Sequence, residues 1–270
     1  MPTQTSPSSS TDNPMVVRSG QIAELVLNAP DRKNALPLAA WQAFPDLLSE
    51  LARDPAVRVC ILRGAGGKSF CAGADISEFE AIRSTPEAAK RYDDINVEAF
   101  RALKSLPVPV IAAIEGPCLG GGLGLALACD LRIASRSAFF AIPAARLGLA
   151  YPPEALGDLL EAVSPSNAKR LLFSAVRLKA EEALDMGLVN EVVDDQELNQ
   201  RVIALSEVLC ANAPLSLKAA KQAINRLAQP GIQTDPAADF ANAQACIDSA
   251  DYREGCRAFL EKRAPVFTGN

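Results

Sequence analysis

The stretch that most constrains how this chain can fold is residues 109–130, PVIAAIEGPCLGGGLGLALACD. It opens with an apolar run rich in β-branched residues, turns at Gly116-Pro117, and resumes after three glycines with the Leu/Ala pattern of a buried helix. The pattern predicts a strand, a loop and a helix. Glycine N–H groups at the start of a helix are unshielded and lie at the positive end of its dipole, so they suit a negative oxygen. The alternative is that the glycines only let the helix pack closely on a sheet.

Two nucleotide-binding motifs are absent from the glycine-rich stretches. The dinucleotide pattern G-x-G-x-x-G fails because its last position falls on Leu125 or Leu127. The phosphate-loop pattern is approached at Gly67-Lys68-Ser69, but its first glycine would have to stand at Leu62. Neither motif therefore supports nucleotide binding.

Charge and residue usage exclude several classes of function. The 270 residues carry a formal net charge of −5, which argues against nucleic acid and against an anionic membrane as partners. The sequence contains no histidine, so serine–histidine and cysteine–histidine catalysis are excluded. Seven cysteines, an odd number without a C-x-x-C motif, indicate reduced thiols in a cytoplasmic protein and no zinc or other metal site.

Apolar periodicity and helix-start residues predict an α/β core followed by helices. Residues 1–13 are rich in Ser, Thr and Pro and are expected to form a disordered tail, not a signal peptide. The α/β core is predicted over residues 14–190 and a helical C-terminal region over 191–270. No apolar run reaches the ~18–20 residues that span a bilayer. The predicted strands are 16–18, 22–27, 57–62, 131–134, 138–142 and 189–193, and the predicted helices are 37–53, 86–106, 165–173, 180–186, 194–211, 214–227, 236–249 and 251–263. The central strand and the glycine-rich helix are predicted within residues 109–130 without exact bounds.

Six segments that cover nearly the whole chain after the tail form a recognisable series. They are residues 28–36, 70–76 (FCAGADI), 116–130, 147–149, 183–189 (ALDMGLV) and 261–267 (EKRAPVF). Together, and in this order, they resemble the enoyl-CoA hydratase/isomerase family, the crotonase superfamily. The resemblance implies a spiral of repeated ββα turns, with C-terminal helices that assemble homotrimers, often stacked into homohexamers.

The resemblance also implies an acyl-coenzyme A substrate and assigns residues to it. Two backbone N–H groups, those of Ala74 and Gly121, are expected to hold the thioester carbonyl oxygen. Donors fixed in advance stabilise the enolate-like oxygen of the transition state more than the ground-state carbonyl. No cofactor is implied beyond the coenzyme A of the substrate. The residues expected along the coenzyme are Arg32, Lys33, Ala35, Ala72, Asp75 and Ile76, although Arg32 and Lys33 could equally form a solvated cationic turn.

The sequence departs from the family at the two glutamates that its hydratases use to add water. Those positions are Gly124 and Ala144 here, and neither residue can transfer a proton. Ordinary hydratase chemistry, and the isomerase reaction that relies on the second carboxylate, are therefore in doubt. Tyr151 stands where a decarboxylating member of the superfamily carries an active-site tyrosine, and it could instead simply line the acyl pocket. Glu154, on the following helix, is the other candidate for proton handling.

Three hypotheses follow from these residues. The first is a lyase-like acyl-CoA enzyme of fatty acid metabolism that stabilises an enolate through Ala74 and Gly121, with Tyr151, Glu154 or a water moving the proton. The second is decarboxylation of a malonyl-type thioester with the help of Tyr151. The third is a protein that binds acyl-CoA and has lost catalysis.

Overall fold

A six-stranded sheet forms the centre of the computed structural model, which describes residues 12–228 and 235–270. The predicted tail lies outside the described residues except for Asp12 and Asn13. The strands are β1 (Met15–Ser19), β2 (Ile22–Leu27), β3 (Val59–Gly64), β4 (Val110–Ile114), β5 (Pro117–Leu119), β6 (Leu131–Ser135), β7 (Phe139–Ala141), β8 (Leu178–Lys179) and β9 (Glu191–Val193). The helices are α1 (Leu38–Arg53), α2 (Phe79–Ile82), α3 (Pro86–Lys104), α4 (Gly121–Ala128), α5 (Pro153–Ala162), α6 (Pro165–Ser174), α7 (Ala180–Asp185), α8 (Leu198–Cys210), α9 (Pro214–Leu227), α10 (Pro236–Asp248) and α11 (Ala250–Glu261).

The large sheet has the order β1-β2-β3-β4-β6-β9, and all pairs except β1 with β2 are parallel. Every residue of β4 is buried, as expected for an inner strand of a parallel sheet covered on both faces. Helix α8 covers one face, where Leu198 and Val202 pack with Val59 and Ile111. The larger core lies on the other face and includes Trp41. Since β9 and α8 join this sheet, the chain beyond residue 190 contributes directly to the core.

A second, three-stranded sheet of order β5-β7-β8 carries the glycine-rich loop. Strand β5 pairs in parallel with β7, and a further parallel bridge joins Cys71 to Cys118. Across that bridge the Cys71 N–H donates to the Pro117 carbonyl at 3.0 Å, and the Leu119 N–H donates to the Cys71 carbonyl at 2.9 Å. The two loops that the sequence analysis singled out are therefore hydrogen-bonded side by side.

Most predicted elements are present, and the exceptions have tertiary causes. Strand β3 runs two residues later than predicted because Gly64 continues the parallel pairing with Leu27 of β2. Strands β5 and β8 and helix α2 were missed. They are two to four residues long and their extended or helical state depends on partners distant in sequence.

No single helix among the described residues is long and apolar enough to cross a membrane. Helices α8 and α9 meet such a test of length and composition only when taken together, and they are bent by 106° at their junction.

Candidate active site

A cavity between the two glycine loops and helix α3 is lined by five of the ten candidate residues. It encloses about 740 Å³ of space between atoms, part of it open to solvent, which is within the usual range of small-molecule sites. Its lining includes Ala72, Ala74, Ile76, Gly121, Ala144 and Tyr151 from the predicted site. The structure therefore brings residues from four separate stretches of sequence to one surface.

The backbone N–H groups of Ala74 and Gly121 lie close together at the wall of this cavity. A Cβ built on Gly121 would stand 3.9 Å from the Ala74 nitrogen. Neither N–H donates a hydrogen bond to another described residue, and Gly121 is the first residue of α4. The pair is therefore available to an oxygen in the cavity, in the arrangement of an oxyanion hole.

Close packing explains why glycine stands at position 121. A Cβ there would approach the ring of the fully buried Trp41 to 2.9 Å, and Trp41 is held by a 3.1 Å hydrogen bond from its Nε1 to the Leu36 carbonyl. The preceding Gly120 has φ of +50°, a left-handed conformation that glycine adopts without strain. The glycines of this turn therefore have both of the roles considered for them: they allow close packing, and they expose backbone donors.

The Tyr151 hydroxyl is directed at the same turn. It donates to the Gly120 carbonyl at 3.1 Å, and the Gly124 N–H donates to that carbonyl at 3.1 Å as well. Since the Gly120 carbonyl and the Gly121 N–H belong to one peptide plane, these bonds fix the direction of the Gly121 donor. Burial raises the pKa of the Tyr151 phenol above its ordinary value, and Cys118 and Asp158 add smaller contributions. Tyr151 therefore remains a hydrogen-bond donor at neutral pH.

The two positions that the family resemblance equates with the hydratase glutamates lie differently around the cavity. Ala144 lines it and is 8% exposed. Gly124 is buried behind Phe100, and a Cβ on Gly124 would stand 2.5 Å from the Phe100 Cζ. The Phe100 ring thus fills the space into which a side chain at position 124 would extend. Of the described residues that line the cavity, Asp93 alone carries a carboxylate, and it is bound to Arg83 at 2.5 Å.

Glu154, which the sequence analysis offered for proton handling, lies outside the cavity. Its side chain is 53% exposed and lies 3.6 Å from the Arg101 guanidinium. The neighbouring Asp158 is also engaged elsewhere, accepting from Lys104 at 2.7 Å. We therefore leave Glu154 out of the chemistry proposed below, because helix α5 presents it to solvent.

The residues expected along coenzyme A form one hydrogen-bonded surface. The Ala72 N–H donates to the Lys33 carbonyl at 2.9 Å, and the Asp75 N–H donates to the Leu36 carbonyl at 2.9 Å. Arg32 binds the carboxylates of Asp75 at 2.5 Å and Asp12 at 2.6 Å. Hydrogen bonds from Ser77, together with Arg32, lower the pKa of Asp75. Lys33 is exposed, whereas Arg32 would have to share its guanidinium between phosphate and these carboxylates.

Sequence reasoning missed several residues that shape this region. Asn34 is buried with φ of +55° and its side chain binds Ala29, Ala65 and Ser69, which joins three loops. Asn is favoured at such left-handed positions, and that preference was the available signal. Asn96 and Phe100 reach the cavity from α3, and their four-residue spacing from Tyr92 could have indicated a shared helix face.

The cavity holds no group of acidic, cysteine or histidine side chains arranged as metal ligands, and none occurs elsewhere in the described parts of the chain.

Burial raises the pKa of the Cys71 thiol to about 12, and its Sγ donates to the Asn34 carbonyl at 3.0 Å. Such a protonated, enclosed thiol is unreactive. Cys71 therefore packs and bonds between the loops, as expected from its apolar context.

Comparison with known proteins agrees with this fold. The family model described as enoyl-CoA hydratase/isomerase matches residues 18–270. The short-chain-enoyl-CoA hydratase of Clostridium acetobutylicum is 37% identical over 252 residues, covering 93% of this chain and 96% of the relative. The crotonyl-CoA hydratase of Syntrophomonas wolfei is 34% identical over 256 residues, covering 95% and 98%.

Solved structures lead to the same conclusion about the fold. An enoyl-CoA hydratase/carnithine racemase from Magnetospirillum magneticum superposes with a TM-score of 0.91 at 38% identity, covering 97% of each chain. The enoyl-CoA hydratase of Bacillus anthracis gives 0.85 at 34% identity, covering 96% of this chain and all of the other. These matches define the class as proteins with the crotonase fold. The chain belongs to the enoyl-CoA hydratase/isomerase family, and the predicted fold and family are confirmed.

Proposed function

We propose that this protein is an acyl-CoA enzyme that stabilises a thioester enolate with the N–H groups of Ala74 and Gly121 and without a carboxylate acid–base pair. The observation that carries the proposal is the pair of unengaged donors at the cavity wall, where a Cβ built on Gly121 would stand 3.9 Å from the Ala74 nitrogen. An enolate oxygen gains more from such donors than a carbonyl does, because charge accumulates on it in the transition state.

The second candidate, decarboxylation of a malonyl-type thioester, is favoured by the chemistry of the cavity wall. Its Asp93 carboxylate is paired with Arg83, and positions 124 and 144 offer no proton-transferring group. In decarboxylation the bond between the α-carbon and the carboxylate breaks, its electron pair forms the enolate, and carbon dioxide leaves. A proton from water then reaches the α-carbon, so the protein needs an oxyanion hole but no carboxylate base.

Two substrates assayed in parallel test the proposal. Crotonyl-CoA is followed at the absorbance of its conjugated thioester, and malonyl-CoA by mass spectrometry. Decarboxylation with slow or absent hydration is the result expected from a cavity without the two glutamates. Hydration at an ordinary enzymatic rate would contradict the absence of an acid–base pair. Acyl-CoA binding without turnover of any thioester would instead support a binding protein.

Replacing Tyr151 by phenylalanine distinguishes orientation of the oxyanion hole from proton transfer. The change removes one of two hydrogen bonds on the Gly120 carbonyl, so we expect kcat to fall about three- to tenfold with little change in KM. A general acid would cost about 10²–10⁴-fold. The pH dependence of kcat adds a second readout, because a phenol with a raised pKa gives no titration below about pH 10. A loss above 10²-fold would contradict the positioning role.

We also propose that the C-terminal helices mediate assembly into a homotrimer or homohexamer. Large apolar side chains are exposed there, including Phe240 at 71%, Phe259 at 84% and Leu260 at 80%. Several large apolar side chains exposed on neighbouring helices are typical of an interface between proteins. The cytoplasmic location expected from the reduced thiols stays a prediction.

Charge placed on α11 is expected to disrupt that assembly. The double change Phe259→Asp and Leu260→Asp should shift the mass measured by size-exclusion chromatography with light scattering from the oligomer to the monomer. Leu184→Asp on α7, where the leucine is 39% exposed, serves as a control and should leave the mass unchanged. A wild-type monomer, or an oligomer that survives the double change, would contradict the proposed interface.

A further inference from the structure

One end of the cavity is formed by a polar surface that the chemistry proposed above does not use. Tyr92, Asn96 and Phe100 follow one another at four-residue intervals on α3 and all line the cavity. Phe100 packs edge-on against Trp41, with ring centroids 5.8 Å apart, and Trp41 lies beneath Gly121. Phe100 therefore marks the end at the proposed oxyanion hole. At 1.5 Å rise per residue, Asn96 lies about 6 Å and Tyr92 about 12 Å further along the helix.

Two polar atoms on this surface are buried without a partner. The Tyr92 residue is 3% exposed, and neither its hydroxyl oxygen nor the Asn96 Nδ2 makes a hydrogen bond of ordinary geometry with any described residue. Burial raises the pKa of Tyr92 to about 12, and the Asn96 and Trp41 side chains lie near enough to the hydroxyl to oppose that rise. Neither makes a hydrogen bond of ordinary geometry with the hydroxyl, and the Trp41 Nε1 already donates to the Leu36 carbonyl. An unpaired buried polar group costs free energy, so an apolar residue at position 92 would stabilise the unliganded protein better.

The surroundings of Tyr92 hold the hydroxyl in place and balance the local charge. The Tyr92 ring meets Phe79 edge-on at 5.6 Å, and the Arg83 guanidinium carbon lies 5.3 Å from the centroids of both rings. Arg83 in turn binds Asp93 at 2.5 and 3.3 Å. Since the cation is already matched by a carboxylate, this end of the cavity suits a neutral polar group better than a second anion.

We propose that Tyr92 and Asn96 select an acyl group that carries a neutral oxygen, a hydroxyl or a ketone, several carbons away from the thioester. The inference rests on the proposed acyl-CoA function and names its substrate class. The phenol and the amide can each donate to such an oxygen, and a hydroxyl can also donate back. A site that offers hydrogen bonds to a buried oxygen discriminates against the analogue that lacks it, because its own polar groups are then left unpaired.

The test compares saturated thioesters that differ in one oxygen and are not substrates for hydration or decarboxylation. Hexanoyl-CoA, 4-, 5- and 6-hydroxyhexanoyl-CoA and adipoyl-CoA are titrated into the full-length protein by calorimetry. We expect at least one hydroxyhexanoyl-CoA to bind about three- to tenfold more tightly than hexanoyl-CoA for each hydrogen bond gained. In Tyr92→Phe and Asn96→Leu that preference, taken as the ratio of the hexanoyl-CoA and hydroxyhexanoyl-CoA Kd values of the same variant, should shrink towards one.

The thermal midpoint of the unliganded Tyr92→Phe variant separates a role in binding from a structural role. If the hydroxyl stabilised the fold, its removal would lower the midpoint. Tyr92→Phe should leave the midpoint unchanged or raised, since it removes a hydroxyl without a partner. Equal binding of hexanoyl-CoA and all hydroxylated forms would overturn the proposal, as would a preference that survives both substitutions or one for adipoyl-CoA alone. Failure to bind hexanoyl-CoA at all would instead count against the proposed acyl-CoA function.

Discussion

Replacing Gly121 by proline is expected to lower the turnover of the acyl-CoA substrate about 10²–10³-fold relative to replacing it by alanine. Both substitutions add a Cβ that approaches the Trp41 ring at 2.9 Å, so the alanine variant controls for this contact with α1. Only proline also deletes the N–H. Proline is tolerated at the first position of a helix, and Gly121 is the first residue of α4. The ratio between the two variants therefore removes the cost of the Cβ contact and measures the replacement of the N–H donor by the proline ring.

Steady-state kinetics of the two variants, with circular dichroism to confirm that each is folded, provide the measurement. KM should change less than kcat, because the donor acts mainly on the charge that develops in the transition state. Equal activity of the proline and alanine variants would remove the Gly121 N–H from the mechanism. The oxyanion hole at Ala74 and Gly121 would then no longer support the proposed function.

Replacing Gly124 by alanine is expected to lower the free energy of unfolding by about 1–3 kcal/mol, a typical cost of overpacking a core. The new Cβ would stand 2.5 Å from the Phe100 Cζ, and Phe100 is itself confined by the edge-on contact with Trp41. In a Phe100→Leu background the same change should cost less, because a shorter side chain leaves room for the Cβ. Urea unfolding of Gly124→Ala, Phe100→Leu and the double variant measures the coupling free energy between positions 124 and 100.

Gly157→Ala is the matched control for the Gly124 substitution. Gly157 lies in α5 with nothing within 4 Å of its Cβ position, so alanine there should be neutral or slightly stabilising. An equal cost of Gly124→Ala in both backgrounds would contradict direct contact with Phe100. A confirmed coupling would mean that a glutamate at position 124 cannot enter the cavity unless Phe100 is also changed.

The sequence predicted the parts of the site that depend on local backbone chemistry. The three glycines after a buried strand predicted a helix start with exposed donors, and Gly121 begins α4 at the cavity wall. The sequence shows glycine at position 124 and alanine at position 144, and only the family resemblance equates these positions with the hydratase glutamates. The role of Glu154 could not be predicted, because its position on α5 relative to the cavity depends on how that helix packs. It is exposed beside Arg101.

The sequence by itself determined the fold class, the family and the backbone groups at the turn, because glycine spacing, strand and helix periodicity and ordered motifs are local properties of the chain. Only the tertiary structure decided which side chains meet those groups. Tyr151 reaches the Gly120 carbonyl across 31 positions of sequence, and Phe100 fills the space beside Gly124. Tyr92 and Asn96 are left unpaired in the cavity for the same reason. Such contacts depend on how α1, α3 and α4 pack around one cavity. That packing cannot be read from a local sequence pattern.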